Sequence, residues 1–264
     1  MDDETIKMIE STLHQRTYAM IMYDNPFKLS KKSLKKVIKK DWPELEKLTE
    51  FKEEKLYFRF NIGDYKLFIQ NIDKPILWKD LDHACETTYY WENPIKEVKN
   101  HTKHLLVFVE SEKKRSVETY IILTKIIRSI INLINAIGVY WRLSLQVFPT
   151  LQFTQFSDII KEGQLPVPIW IKVSGGEIDN NVSNFYTTGM AYFYQEEIEI
   201  IKTTKKFSYV LPFLLDLTDT LIKQGSYIKD GDNIEGNDGE QINVRFLPSE
   251  IFDNKEKSMR LFLK

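Results

Sequence analysis

The chain has 264 residues, 42% of them hydrophobic and 13% aromatic, with 28% charged and a formal net charge of −1. That is enough apolar material for a sizeable core and is not the composition of a disordered chain. A near-neutral balance argues against nucleic acid as the main partner, because phosphate neutralisation normally demands a basic excess. Apolar runs broken well short of the roughly 20 residues of a membrane span argue against a membrane protein.

Asp2, Asp3 and Glu4 follow Met1 without a basic and apolar leader, and Cys85 is the single cysteine. A secretory signal and an intramolecular disulfide are therefore not expected, and the expected location is the cytoplasm.

In chain order, residues 1–14 read as a loose or helical lead-in and Thr17–Tyr23 as a strand. Leu34, Val37 and Ile38 fall on one face of a helix over 31–40, with Lys31, Lys32, Lys35, Lys36, Lys39 and Lys40 around them. This lysine run reads as a solvated face, with an anionic-partner patch as the alternative. Lys55–Asn61 alternates, Gly63-Asp64 supplies a turn, and Tyr65–Ile69 returns, which together signal a hairpin. Trp78–Glu86 predicts a helix, a second short helix lies near 95–102, and Leu105–Val109 reads as a buried central strand.

Ser116–Ile137 is apolar on most sides and predicts a buried helix closed by Gly138. Val139–Phe148 alternates over ten residues as one strand. A helix is expected near 151–162 and a strand over Pro168–Val173. A strand or hairpin follows over Asn184–Tyr194, with Gly189 as a bulge. The helix over 205–224 takes Pro212 either inside it or at its first turn, the second fitting proline's preference better, and Ile242, Val244 and Phe246 mark a last strand.

Residues 17–110 thus follow the order strand, helix, strand, strand, helix, strand, and so do residues 139–247. The expected fold class is α/β (α+β): two ferredoxin-like βαββαβ halves joined by the long helix at 116–137, forming one compact unit with a C-terminal segment at 248–264. One continuous mixed α/β domain is the competing architecture.

Several segments stand together in a suggestive order. They include Trp78-x-x-Leu81-x-x-Ala84-Cys85 with Trp91, His101-x-x-His104-Leu105-Leu106-Val107, and Gly138-Val139-Tyr140-Trp141. Leu165-Pro166-Val167-Pro168-Ile169-Trp170, Tyr186-Thr187-Thr188-Gly189-Met190, Lys229-Asp230-Gly231-Asp232-Asn233-Ile234, Gly239-Glu240 and Val244-Arg245 follow. In this order the chain resembles the bacterial family called domain of unknown function 4261, from about residue 17 to the end. The resemblance implies a bacterial protein without an established activity, of an accessory or immunity type.

Three groups of residues are candidates for chemistry. His101 and His104, with His83 and Cys85 upstream, could meet at zinc, but their spacing fits no familiar pattern. A metal-assisted hydrolase built on them is the alternative function. Cys85 beside a histidine could be a nucleophile, though a cysteine amid apolar residues more often packs as a small hydrophobe. Tyr89, Tyr90, Trp91, Tyr140 and Trp141 could supply an exposed aromatic anchor, with core packing as the ordinary fate. No phosphate-binding glycine loop and no nucleophile elbow is present.

The most unusual stretch runs from Asp230 to Glu240 and carries Asp230, Asp232, Glu235, Asp238 and Glu240 without a base. Ile234 and Glu235 stand where a calcium loop of the EF-hand type needs a ligand and a glycine. The expectation is a set of turns whose five carboxylates bind a partner with a basic surface, since opposite charge speeds encounter and rejects acidic competitors. The function expected is a non-enzymatic immunity protein that binds a cognate toxin, without a cofactor or catalytic residue. A scaffold module unrelated to toxins is a further alternative, and the oligomeric state is left open.

Overall fold

The computed structural model describes residues 17–263 except 26, 28, 46, 55–56, 112–116, 226 and 253–256. The expected lead-in at 1–14, and Lys55, Leu56 and Ser116 at element ends, lie outside the described residues. The described residues form a mixed α+β protein with two sheets and seven α-helices, in two units divided between Pro166 and Val167.

In the first unit, β1 (Thr17–Tyr23) lies between β5 (Lys103–Ser111) and β6 (Ala136–Trp141). Its register pairs Ala19 with Val107 and Ile21 with both Leu105 and Val139. The sheet continues from β5 through β4 (Tyr65–Ile72) and β3 (Tyr57–Ile62) to β2 (Leu48–Glu53), and from β6 to β7 (Gln146–Pro149). All neighbours are antiparallel. A ferredoxin-like interleave would set β1 beside β4, but β5 lies between them. The sheet also extends past the long helix to β7, so the expected boundary at that helix is not where the sheets part.

The long helix is shorter than its apolar run. α1 is Lys31–Asp41, α2 is Trp78–Glu86, α3 is Pro94–Val98 and α4 is Val117–Ile131. Residues 132–135 turn, and the chain enters β6 at Ala136. Gly138 therefore sits within a strand. A Cβ there would come within 2.6 Å of both the Phe148 carbonyl oxygen and the Trp91 ring, so close approach selects glycine. The alternation over Val139–Phe148 also contains a turn, at 142–145, because burial on both sides of β6 and β7 gives the same pattern as one long strand.

α4 contacts β1, β5 and α1, as well as α5 (Thr150–Asp158), which explains its apolar circumference. Two of its polar residues, Lys125 and Arg128, are only 8% exposed. Arg128 lies 2.8 Å from Asp41 and holds Asp158 through a two-pronged contact at 2.9 and 3.0 Å. Burial pulls the guanidinium pKa down, but these two carboxylates outweigh it and the net shift is upward. Trp42 lies beside this network. Its indole N–H donates to the Lys125 carbonyl and to Ser129 Oγ, at 3.0 and 3.1 Å. Lys125, Arg128 and Lys161 approach its ring at 5.1, 6.0 and 5.2 Å from the centroid, within cation–π range.

On another part of the first unit, α2 and α3 build a cluster of Met22, Leu81, Cys85, Trp91, Val98 and Tyr140, among others.

The second unit opens with a helical turn, α6 (Val167–Trp170), where a strand is expected over Pro168–Val173. Its sheet runs β11 (Asn233–Glu235), β12 (Gln241–Pro248), β13 (Lys257–Phe262), β10 (Ile198–Thr203), β9 (Val182–Thr188) and β8 (Lys172–Asp179). β10 and β13 are parallel and the other pairs antiparallel. This order is not a βαββαβ interleave either. β9 stops at Thr188, and Gly189 leads into a 3-10 turn at Met190–Phe193 rather than a bulge. Glu197 fastens that turn by accepting the Gly189 N–H and the Thr187 hydroxyl, each at 2.8 Å. Pro212 lies inside α7 (Phe207–Gln224), beyond its first turn.

The Arg128 network predicts a measurable penalty. Arg128→Met is expected to cost about 3–5 kcal/mol in urea unfolding, because Asp41 stays buried without its cation. A loss below about 1 kcal/mol would show that water reaches and satisfies Asp41 instead.

Candidate functional site

The acidic stretch folds as a hairpin on the edge of the second sheet. β11 pairs with β12 through Asn233↔Asn243, Ile234↔Ile242 and Glu235↔Gln241. Ahead of β11, the Gly231 N–H donates to Val244 O and the Val244 N–H to Asp232 O, both at 2.8 Å. The tip closes when the Gly236 N–H donates to Glu240 O at 2.8 Å and the Gly239 N–H to Gly236 O at 3.0 Å. Gly239 takes φ +77°, a region that favours glycine.

The five expected partner-binding carboxylates divide into two groups. Asp230 accepts from the Phe246 N–H at 2.8 Å and from Arg245 Nε at 3.0 Å. Those bonds, the backbone one foremost, hold its carboxyl below its ordinary pKa. Asp232 accepts the Lys229 N–H at 2.8 Å, closing a turn with its own side chain. Glu240 accepts the Tyr209 hydroxyl and the Asp238 N–H, the latter at 3.0 Å. The Tyr209 bond is the main reason that its carboxyl is also held low. Asp238 lies 3.3 Å from Lys205, which also reaches Glu240 at 3.5 Å. Four of the five thus serve the hairpin itself.

Glu235 is different. Among the described residues its carboxylate has no hydrogen bond or ion pair, and it lines a cleft beside α7. The floor of that cleft is Phe213, Leu217 and Ile234, with the half-exposed Tyr227 at its edge. Asp216 on α7 stands on the rim with Glu235, its carboxylate also without a partner among the described residues. The cleft encloses about 360 Å³. An apolar floor beneath two uncompensated carboxylates suits a basic side chain with a long aliphatic stem. Sequence reasoning found Glu235 but not Asp216, Phe213 or Tyr227. The helical face named by Leu214, Leu217 and Leu221 gave no sign that its neighbours at 213, 216 and 220 lie beside the hairpin.

The other candidates separate. His101 and His104 are 5% and 7% exposed. His101 uses both ring nitrogens: Nδ1 meets the Val98 carbonyl at 2.5 Å, and Nε2 accepts the Ile76 N–H at 2.8 Å. His104 Nδ1 meets the Lys74 carbonyl at 2.8 Å. The pair thus ties residues 74–76 down, and among the described residues no three His, Cys, Asp or Glu side chains converge as metal ligands would. Cys85 is 2% exposed within the α2 cluster, and burial, assisted by Asp82 and Glu86, pushes its thiol up to about 11. A thiol so placed is a poor nucleophile at neutral pH. Trp91, Tyr140 and Trp141 are buried at 7%, 1% and 0%, so they make no exposed anchor. No described helix is long and apolar enough to cross a membrane.

The histidines give a prediction with a definite sign. Burial lowers His104 from 6.5 to about 4, against the opposing pull of its bond to Lys74. Between those values the unfolded chain binds more protons than the folded one, so stability is full above pH 6.5 and falls as pH drops toward 4. The loss attributable to this group is roughly 3 kcal/mol. The melting temperature of His104→Gln should therefore fall less steeply than the parent's between pH 6.5 and 4.5; parallel profiles would contradict a buried neutral imidazole.

The family model described as a domain of unknown function (DUF4261) matches residues 186–262, which places that segment in the family. The matched segment runs from β9 to the end of β13 and contains the acidic hairpin. No curated protein and no solved structure matches the chain.

Proposed function

We propose that this chain is a non-enzymatic protein-binding protein, a bacterial immunity protein that neutralises a secreted antibacterial toxin by direct contact with its basic surface. The observation that carries this reading is the cleft between α7 and the hairpin, where Asp216 and Glu235 stand uncompensated above Phe213, Leu217 and Ile234. An arginine or lysine of the partner would set its stem on the apolar floor and its charge between the carboxylates. Such an anchored cation at the centre of an interface is the kind of contact that dominates binding energy. The remaining acids of the hairpin contribute to the local field and so to the rate of encounter. The commitment of both ring nitrogens of His101 removes much of the support for a metal-assisted hydrolase.

The partner is sought by affinity capture from cells co-expressing the neighbouring reading frames, and affinity is then measured by calorimetry. With the partner in hand, Asp216→Asn with Glu235→Gln should weaken the complex about tenfold or more, with an unchanged melting temperature. Asp230→Asn, by contrast, should lower the melting temperature of the hairpin's unit, because Asp230 fastens Phe246 and Arg245. A captured toxin whose affinity is indifferent to the Asp216 and Glu235 changes would refute the cleft as its seat.

A further inference from the structure

The segments around Trp78–Cys85 and Gly138–Trp141 meet in the first unit around a cavity of about 200 Å³. α2 contributes Lys79, Asp80 and His83; β6 contributes Tyr140, and the turn after it contributes Arg142. We propose that this cavity binds a compact oxyanion, a phosphate or a phosphomonoester group, held by Arg142, Lys79, His83 and the Tyr140 hydroxyl.

The strongest observation is Tyr140. Its side chain is 1% exposed and packs in the cluster with Met22, Leu81 and Cys85, yet its hydroxyl has no hydrogen bond to any described residue. Tyr140 lines the cavity, where its hydroxyl can donate to a ligand atom seated there. Burial pushes the phenol's pKa up, which keeps the proton on oxygen and makes the group a hydrogen-bond donor. The charges agree with an acceptor-rich ligand. Arg142 and Lys79 have no carboxylate partner among the described residues, against the single carboxylate of Asp80 on the cavity wall. A guanidinium offers the two-pronged geometry that oxyanions accept.

Size narrows the ligand further. Drug-sized and nucleotide-sized ligands occupy roughly 300–1,000 Å³. A cavity of about 200 Å³ admits a tetrahedral oxyanion and a short stem. The turn that carries Arg142 also holds Leu145 at φ +53°, a left-handed conformation unusual for a leucine, which fixes the path of the chain beside the cavity.

The test is titration of the full chain with inorganic phosphate and with phenyl phosphate, followed by backbone amide shifts, with acetate as the comparison anion. Saturable shifts confined to α2 and the β6–β7 turn are expected for both phosphates. Arg142→Gln should weaken binding about tenfold, and Lys79→Gln, on an exposed residue, should weaken it severalfold without touching the core. Tyr140→Phe keeps the ring in its packing and should also weaken binding, with little change in melting temperature. The proposal is overturned if phosphate produces no saturable shift, or if all three variants bind it as tightly as the parent. Acetate binding as tightly as phosphate would overturn the phosphoryl assignment.

Discussion

A charge taken out of water must meet an opposite charge or a set of hydrogen bonds, and much of this molecule is arranged around that requirement. In the first unit the requirement falls on α4. The helix is apolar on nearly every side because it lies among β1, β5, α1 and α5, yet it carries Lys125 and Arg128 inward. Asp41 from the end of α1 and Asp158 from the end of α5 meet Arg128, so one guanidinium joins three helices. Lys125 reaches Glu44 at 2.6 Å just beyond α1. Buried uncharged polar groups need partners too, and this fixes the loop before α2, where His101 and His104 meet backbone groups of Val98, Ile76 and Lys74.

In the second unit a buried pair does similar work. Glu199 on β10 is wholly buried and lies 3.1 Å from Arg260 on β13, the strand parallel to it. At the surface, the hairpin solves a milder version of the problem. Its excess of carboxylates would repel itself if nothing answered it. Arg245, Lys205, Tyr209 and backbone N–H groups answer four of the five. What is left over, Glu235 with Asp216, is concentrated at one cleft. Function is read from this remainder and not from the count of acids.

Local patterning carried part of the fold. Thr17–Tyr23, the hairpin around Gly63-Asp64, and the helices near 31–41, 78–86 and 207–224 were legible because one face of each is apolar at the right period. The pattern failed where both faces are buried. Ser116–Ile137 reads as one helix because the turn at 132–135 and the start of β6 are as apolar as α4 itself. Gly138 looked like a helix end, whereas its smallness answers to Trp91, far along the chain. The strand orders were not legible, since β5 enters between β1 and β4 through contacts that no local pattern encodes. β10 and β13 were missed because Glu199 and Arg260 interrupt their apolar patterns, and only the fold brings these two charges together. At the site, the acidic stretch was conspicuous, but its division into fastened and free carboxylates depends on Arg245, Tyr209 and Lys205, which only the fold brings near.

The most direct test of this account follows the carboxyl carbons of the free protein by NMR as pH is lowered. Asp230 and Glu240 should titrate below their ordinary values, because Phe246 with Arg245, and Tyr209, hold their charged forms. If both titrate at ordinary values, those carboxylates are not fastened to the fold, and the division of the hairpin into structural and partner-facing acids is wrong.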